Sequence, residues 1–329
     1  MLESLINNNR NIQITIWHPN GEKYFSYLKD FYKVKFENIY FFRKIFRYHK
    51  FSKLSKFRKP FLLNKYNLVC LPPFDLNILF FIFGKMLRPN SILILHTSDF
   101  LHDNGYIFRS SITKFIYKFC INKWFNLIIY PNTLQINQLN KNYSIPKIYI
   151  PHHINPTFLN NNINGLKDID IIFVGEKSFK KGYDRFIELS NILKCSSYAI
   201  GSSFSEIHQS NDLTDIGNLN SNVLSKYLLR SKFLILPSRR YENWEELFSQ
   251  IAVESICCGA IVLSTNHIGP TFLKNAYKLP IYLFNDDDNF VNNVKDFIGS
   301  FKQIEYNFDL SDFKIENLLI KWNLILSNS

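Results

Sequence analysis

Short uninterrupted apolar runs alternate with helix-spaced segments along most of this chain. In its first half the runs are residues 12–17, 67–71, 92–95, 127–130 and 147–150. In its second they are 169–174, 197–200, 213–216, 233–236 and 260–264. Between them, residues 76–87, 111–125, 135–141, 182–193, 221–229 and 248–258 carry apolar side chains at helical spacing. A strand that is apolar throughout must be covered on both faces, and helices placed between such strands make the sheet parallel. The expectation is an α/β chain with two Rossmann-like parallel-sheet domains facing across a cleft. At 329 residues with 46% hydrophobic content, the chain has material for two cores. An Asn-rich stretch at 160–165 is polar and precedes a new strand, so it is the expected linker. It divides residues 1–160 from 161–310. Residues 311–329 are expected as a closing helix that packs back toward the first domain.

Ligands of open α/β sheets bind beyond the carboxyl ends of the strands. The residues to weigh there are His96, Gly175, Gly201, Gly217, Pro237-Ser238 and Ser264. One motif nearby stands out. Glu246 and Glu254 are eight residues apart, and Glu254 falls among Ile251, Ala252, Val253 and Ile256. A carboxylate in such company needs a partner, because burying it unpaired is costly. Two carboxylates at one cleft can accept hydrogen bonds from the adjacent hydroxyls of a ribose or a hexose. Spacing alone leaves open a salt-bridged helix-start glutamate and an exposed helical one.

Charge divides unevenly. The net charge is +12, yet residues 1–160 hold 22 Lys/Arg against 7 Asp/Glu, while residues 161–329 hold 17 against 20. Residues 33–65 carry eleven Lys/Arg and one acid, Glu37, interleaved with aromatic rings. Lys33, Lys35, Arg43, Lys44, Arg47 and Lys50 lead this run. Three readings suit it: an anionic membrane surface, a nucleic acid, or a solvated helix face. No run reaches the roughly 18–20 apolar residues of a membrane span, and the opening MLESLINNNR has no apolar signal segment. Five cysteines without a CxxC pair argue against a disulfide scaffold or a zinc knuckle. The expectation is an intracellular protein, soluble or peripherally bound. Asp286-Asp287-Asp288 sits late in a polar loop and Asp168-Ile-Asp170 at the start of a strand, so neither is read as a metal site.

The stretch from Pro237-Ser238 through Glu246, Glu254, Gly259 and Val262 resembles the signature of glycosyltransferase family 4. More of the pattern follows in order over roughly residues 90–275. Phe173-Val174-Gly175 with Lys181-Gly182, Ile200-Gly201, Ile216-Gly217, the 149–155 segment and Thr265 to Gly269 all resemble family elements. The resemblance implies the GT-B architecture, an N-terminal acceptor-binding domain and a C-terminal donor-binding domain. It implies a retaining, metal-independent enzyme of hexosyltransferase type that uses a nucleotide-sugar donor and no other cofactor. Carried over, Glu254 binds the ribose hydroxyls, Glu246 contacts the transferred sugar, and Lys181 meets the diphosphate. His96 faces the donor sugar from the acceptor domain, and Gly175 and Ser238 belong to the donor site. By themselves, Lys181 could equally be an exposed member of a lysine pair and His96 a hydrogen-bonded structural histidine. Where the family has Arg after the first donor-domain glycine, this chain has Glu176, so Lys177 or Lys180 would supply the second phosphate cation. The family's glycine-rich loop after the first strand is reduced here to His18-Pro19-Asn20-Gly21.

The expected partners are a nucleotide-sugar, a glycan or lipid-linked acceptor of cell-envelope polysaccharide such as lipopolysaccharide or capsule, and an anionic membrane surface. Nucleic acid is not expected. The expected location is the cytoplasmic face of the inner membrane. The alternatives are a basic nucleic-acid-binding protein on an α/β scaffold and a GT-B protein that has lost catalysis.

Overall fold

The computed structural model describes residues 14–18, 39–41, 66–69, 78–97, 111–159, 165–202, 213–240, 245–302 and 306–327. Its chain divides into two compact units, Met1–Pro151 with Glu316–Ser329, and His152–Ile315. The crossing after Pro151 comes ahead of the Asn-rich stretch. Residues 160–164 of that stretch lie outside the described residues.

In the first unit, β1 (Ile14–His18), β2 (Ile39–Phe41), β3 (Tyr66–Val69), β4 (Ile92–His96), β5 (Leu127–Tyr130) and β6 (Lys147–Tyr149) form one sheet in the order β2-β1-β3-β4-β5-β6. Every neighbouring pair is parallel. Strand β2 lies inside the basic aromatic run, where only three apolar residues mark it. Helices α1 (Ile78–Leu87) and α2 (Ser111–Trp124) carry the chain from β3 to β4 and from β4 to β5. Successive right-handed crossovers between adjacent strands put both helices on one face of the sheet. The period of two then sorts the strand side chains. Leu93, Leu95, Ile128 and Tyr130 join Ile78, Phe81, Tyr117 and Ile121 of these helices, with Leu139 of α3 (Ile136–Asn142), in one core. Ile92, Ile94, Leu127 and Ile148 instead line a hollow of about 500 Å³ with Lys321, Leu324 and Ile325 of the last helix, α10 (Ile315–Ser327). Trp322 of that helix is fully buried.

The second unit opens with the single turn α4 (Pro156–Leu159). Its sheet comprises β7 (Ile169–Val174), β8 (Ser197–Ile200), β9 (Leu213–Ile216), β10 (Ser231–Leu236), β11 (Ile261–Thr265) and β12 (Ile281–Phe284). The order is β12-β11-β10-β7-β8-β9, again all parallel. This is the doubly wound order in which the chain direction reverses beside the first strand of the domain. The reversal falls between β7 and β10. Helices α5 (Tyr183–Leu193), α6 (Ser221–Arg230), α7 (Gln250–Cys257), α8 (Ile268–Tyr277) and α9 (Phe290–Ser300) cover the sheet. The Asn220 side chain caps α6 by accepting from the Val223 amide at 3.0 Å. Ile171, Phe173, Phe186, Leu189, Ile235, Leu263 and Phe290 make the core.

Candidate active site

The switch point between β7 and β10 locates a crevice at their carboxyl ends, within the second unit. After β7 the chain runs through Gly175, whose amide donates to the Ile200 carbonyl at 2.9 Å, and on to a short 3-10 turn, Phe179–Lys181. Gly182 closes the turn at φ 70°, and an added Cβ would stand 1.9 Å from the Pro237 carbonyl oxygen. Only glycine lets the two strand ends approach this closely. Lys181 therefore emerges beside the end of β10. Ser238 is buried there, its carbonyl accepting from Thr265 Oγ1 at 2.8 Å.

Lys181 Nζ lies 2.5 Å from Glu246 Oε2, with both side chains about a quarter exposed. Two residues 65 positions apart are thus joined at the crevice. Glu246 precedes α7 in a loop, while Glu254 stands on the second turn of α7, so they do not share a helix face. The expected helix at 248–258 is shorter because Ser249 adopts φ 45°, outside helical geometry, as the residue entering α7. Its hydroxyl is buried and has no hydrogen-bond partner among the described residues.

Glu254 is 9% exposed. Burial pushes its carboxyl up to about 7, opposed by the amide of Gln250, which donates to Oε1 at 3.1 Å. A carboxyl this deep ionises readily only when hydroxyl or amide donors reach it. Cys257, one turn on, is pushed up to about 12 by burial and remains a thiol.

The Glu246 backbone is held from two sides by the turn after β11. Its amide donates to His267 Nδ1 at 3.1 Å, and its carbonyl accepts from the Gly269 amide at 2.8 Å. An added Cβ at Gly269 would meet the Phe248 nitrogen at 2.6 Å, so this packing admits no larger residue. Neighbouring Glu245 accepts from the Ile268 amide at 3.0 Å, satisfying the start of α8. His267 is fully buried, and burial holds it below the ordinary histidine range. The neutral ring accepts at Nδ1, which places its proton on Nε2, facing Asp286 Oδ2 at 3.6 Å. That separation is too long for a hydrogen bond and, with the ring neutral, is a dipolar contact. Asp286 accepts at 2.6 Å from both Arg185 Nη1 and the Arg240 amide. Burial works against its ionisation, yet those two donors hold its carboxyl below the usual range. Arg185 also reaches the Asp287 carbonyl at 2.9 Å, tying α5 to the loop after β12.

Lys177 has a different employment from the one expected of it. It is 2% exposed, ion-paired with Asp215 and donating to the Ile216 carbonyl at 2.8 Å. Tyr183 completes the cluster, donating to Asp215 at 3.0 Å. This ammonium is used to tie the β7 loop to the end of β9 and is not presented to a phosphate. Lys180 stands 3.5 Å from Glu176. His96 is the last residue of β4, half-buried, in the first unit. Lys33, Lys35, Arg43, Lys44, Arg47 and Lys50 lie outside the described residues. Among the described residues no three His, Cys, Asp or Glu side chains gather as a metal site, and no helix is long and apolar enough to cross a membrane.

No sequence pattern assigns a role to His267, Ser249 or Arg185 themselves. The sequence presents Asp286 only as a metal-type carboxylate. His267 follows a strand end, which was the available signal, but its role depends on a backbone amide that no side-chain pattern displays.

No protein family's sequence pattern matches the chain, and no curated protein matches it. Among solved structures, the lipopolysaccharide outer core galactosyltransferase WaaB in its apo form is similar over 97% of this chain and 100% of its own, at 13% identity and a TM-score of 0.53. AviGT4, a glycosyltransferase involved in avilamycin A biosynthesis, aligns over 80% of this chain and 75% of its own, at 11% identity and 0.48. An alpha-glucosyltransferase in complex with UDP and a 13-mer DNA containing a HMU base aligns over 96% and 99%, at 11% and 0.48. The likeness to the WaaB structure shows the fold. It is GT-B, the two-sheet α/β architecture of glycosyltransferases.

Proposed function

We propose that this chain is a retaining glycosyltransferase of the family 4 type. It would move a hexose from a nucleotide-sugar to a lipid-linked glycan of the cell envelope, without a metal ion. The observation that carries the reading is the meeting of Lys181 and Glu246 at the switch point, one loop from the buried Glu254. A nucleotide-sugar offers each of them a partner. The ribose diol donates to Glu254, whose ionised form gains what burial denies it. The diphosphate takes Lys181, a point cation placed where negative charge grows as the glycosidic bond breaks. Glu246, relieved of its lysine, accepts from the sugar hydroxyls. Gly175 and Ser238 border this donor site, and the positive end of α7 offers amides to a phosphate.

In the reaction the acceptor hydroxyl oxygen forms the new bond at the anomeric carbon. The bond to the diphosphate breaks with its electron pair staying on the phosphate oxygen. The hydroxyl proton passes to that leaving diphosphate. His96 would be the acceptor-domain catalytic residue that the family resemblance implies. The protein would work at the cytoplasmic membrane face, oriented there by the basic run at 33–65. Its acceptor would be a glycan and not a nucleic acid.

A thermal shift against UDP, GDP, ADP and CMP, with their common sugar conjugates and no added metal, tests the donor site. A ligand at about 100 times its dissociation constant stabilises a fold by about 2.7 kcal/mol. One nucleotide should raise the melting temperature of the wild type, and Glu254→Ala should abolish the rise. Absence of any shift in a folded wild type would sink the proposal.

A further inference from the structure

The outer surfaces of α1 and α2 are unusual for a water-facing helix pair. Leu79, Phe83 and Met86 are exposed along α1, spaced four and three apart, and Leu87 extends the stripe. On α2, Phe115 and Phe119 form a second exposed stripe, with Phe115 70% exposed. Their rings stack at 6.4 Å. The opposite sides of both helices, through Ile78, Phe81, Tyr117 and Ile121, are committed to the core. Because the two helices lie side by side on one face of the sheet, the stripes share one outer surface. Isolated exposed apolar residues are ordinary, but paired stripes of this kind mark a surface that is covered in use.

The charges around the stripes indicate what covers them. Neither helix contains an acidic residue, and the chain has none between Asp75 and Asp99 or between Asp103 and Asp168. Cations gather at one end of the pair. Arg88 follows the end of α1 and the exposed Lys123 stands at the end of α2, whereas the Lys85 ammonium turns inward to donate to the Ser91 carbonyl. Lys123 Nζ lies 5.4 Å from the Phe119 ring centroid and 5.5 Å from that of Trp124. Apolar stripes bordered by cations, with a ring and an ammonium side by side, suit the boundary between acyl chains and anionic headgroups. A second copy of this surface would set cations against cations. A nucleic acid would leave the leucine, methionine and phenylalanine side chains uncovered.

We infer that the α1–α2 face is a docking surface for an anionic phospholipid bilayer, with Phe115 and Phe119 entering the interface and Lys123 meeting the headgroups. This deepens the proposed function, since it gives the reading of a lipid-linked acceptor a named membrane contact. Both helices run antiparallel to the strands, so their cationic ends lie toward the amino edge of the sheet. Docking there leaves the carboxyl edge, where His96 stands, uncovered.

Flotation of the full chain with vesicles tests this, using phosphatidylcholine alone and phosphatidylcholine mixed with an equal amount of phosphatidylglycerol. The wild type should float with the mixed vesicles and lose binding as salt rises. The double variant Phe115→Ser/Phe119→Ser should lower the partition coefficient at least about tenfold, as expected when two aromatic side chains no longer leave water. Lys123→Glu should weaken binding to the mixed vesicles and leave weak binding to phosphatidylcholine unchanged. All three positions are at the surface, so melting temperatures should match the wild type and show that the variants are folded. The proposal is overturned if the wild type does not float or if the double variant partitions like the wild type. It is equally overturned if the wild type is a dimer that the double variant dissociates, or if duplex DNA competes the vesicles away. The nucleotide thermal shift reads the transferase proposal separately. Flotation without a nucleotide shift would defeat only that proposal, and a shift without flotation only this one.

Discussion

Glu254 shows what burial does to one carboxyl group. Its folded-state value near 7 lies above the 4.5 of an unfolded glutamate. A raised carboxyl binds protons more tightly in the folded chain. Its contribution is therefore complete below pH 4.5 and is lost as pH rises toward 7. Across that window the wild type should lose about 3 kcal/mol of unfolding free energy to this group, whereas Glu254→Gln should be nearly level. Denaturant titrations of both proteins at pH 5 and pH 7.5 check this (roughly the two ends of the window). Equal slopes with pH would mean that Glu254 is ionised in the folded chain at all these values. The same carboxyl was legible as a candidate in the sequence, because a glutamate among Ile251, Ala252 and Val253 has to have a reason. What the sequence could not display is how its neighbour Gln250 already takes part of its hydrogen-bonding capacity.

Elements explain how Glu246 is held. The turn from β11 to α8 supplies both an acceptor, His267 Nδ1, and a donor, the Gly269 amide, to one peptide on either side of Glu246. His267→Ala would leave a partly buried amide without its acceptor, at a cost of about 1–3 kcal/mol. Sugar transfer should fall further than nucleotide affinity does, because Lys181, Glu254 and α7 are untouched. Parallel measurements of melting temperature, nucleotide Kd and turnover would separate these effects. Equal losses in Kd and turnover would refute a role specific to Glu246. Strand reading did well where an apolar run ends at Pro or Gly. Residues 127–130, 169–174, 197–200 and 213–216 are strands with those same limits. It missed β2, three residues long within a run dominated by its cations, and passed over β12 with the helices on either side. Helix α7 begins two residues later than its apolar spacing indicates, because Ser249 turns left-handed. That backbone choice follows from the loop packed on Gly269 and from no propensity of serine.

At the scale of the whole molecule, the same sheet design appears twice with different strand orders. Alternation along the sequence predicts parallel sheets, but it does not predict their strand orders, β2-β1-β3-β4-β5-β6 and β12-β11-β10-β7-β8-β9. The first unit also draws on both ends of the chain, since α10 belongs to it. Trp322 is the largest of the fully buried side chains, 1% exposed. Trp322→Ala should destabilise that unit by about 3–5 kcal/mol. Nucleotide binding by the second unit should survive, so a melt followed with and without nucleotide would resolve the two effects. A single unchanged transition would show that α10 contributes nothing to the first unit's stability. This arrangement also sets a timetable for the nascent chain. The ribosome delivers Ile92, Ile94, Leu127 and Ile148 long before the helix that adjoins them. The intervening unit has everything it needs to fold while one face of the first sheet still waits. During translation that apolar face is the natural client of a chaperone, and a transcript broken before codon 316 would yield a protein prone to aggregate through it.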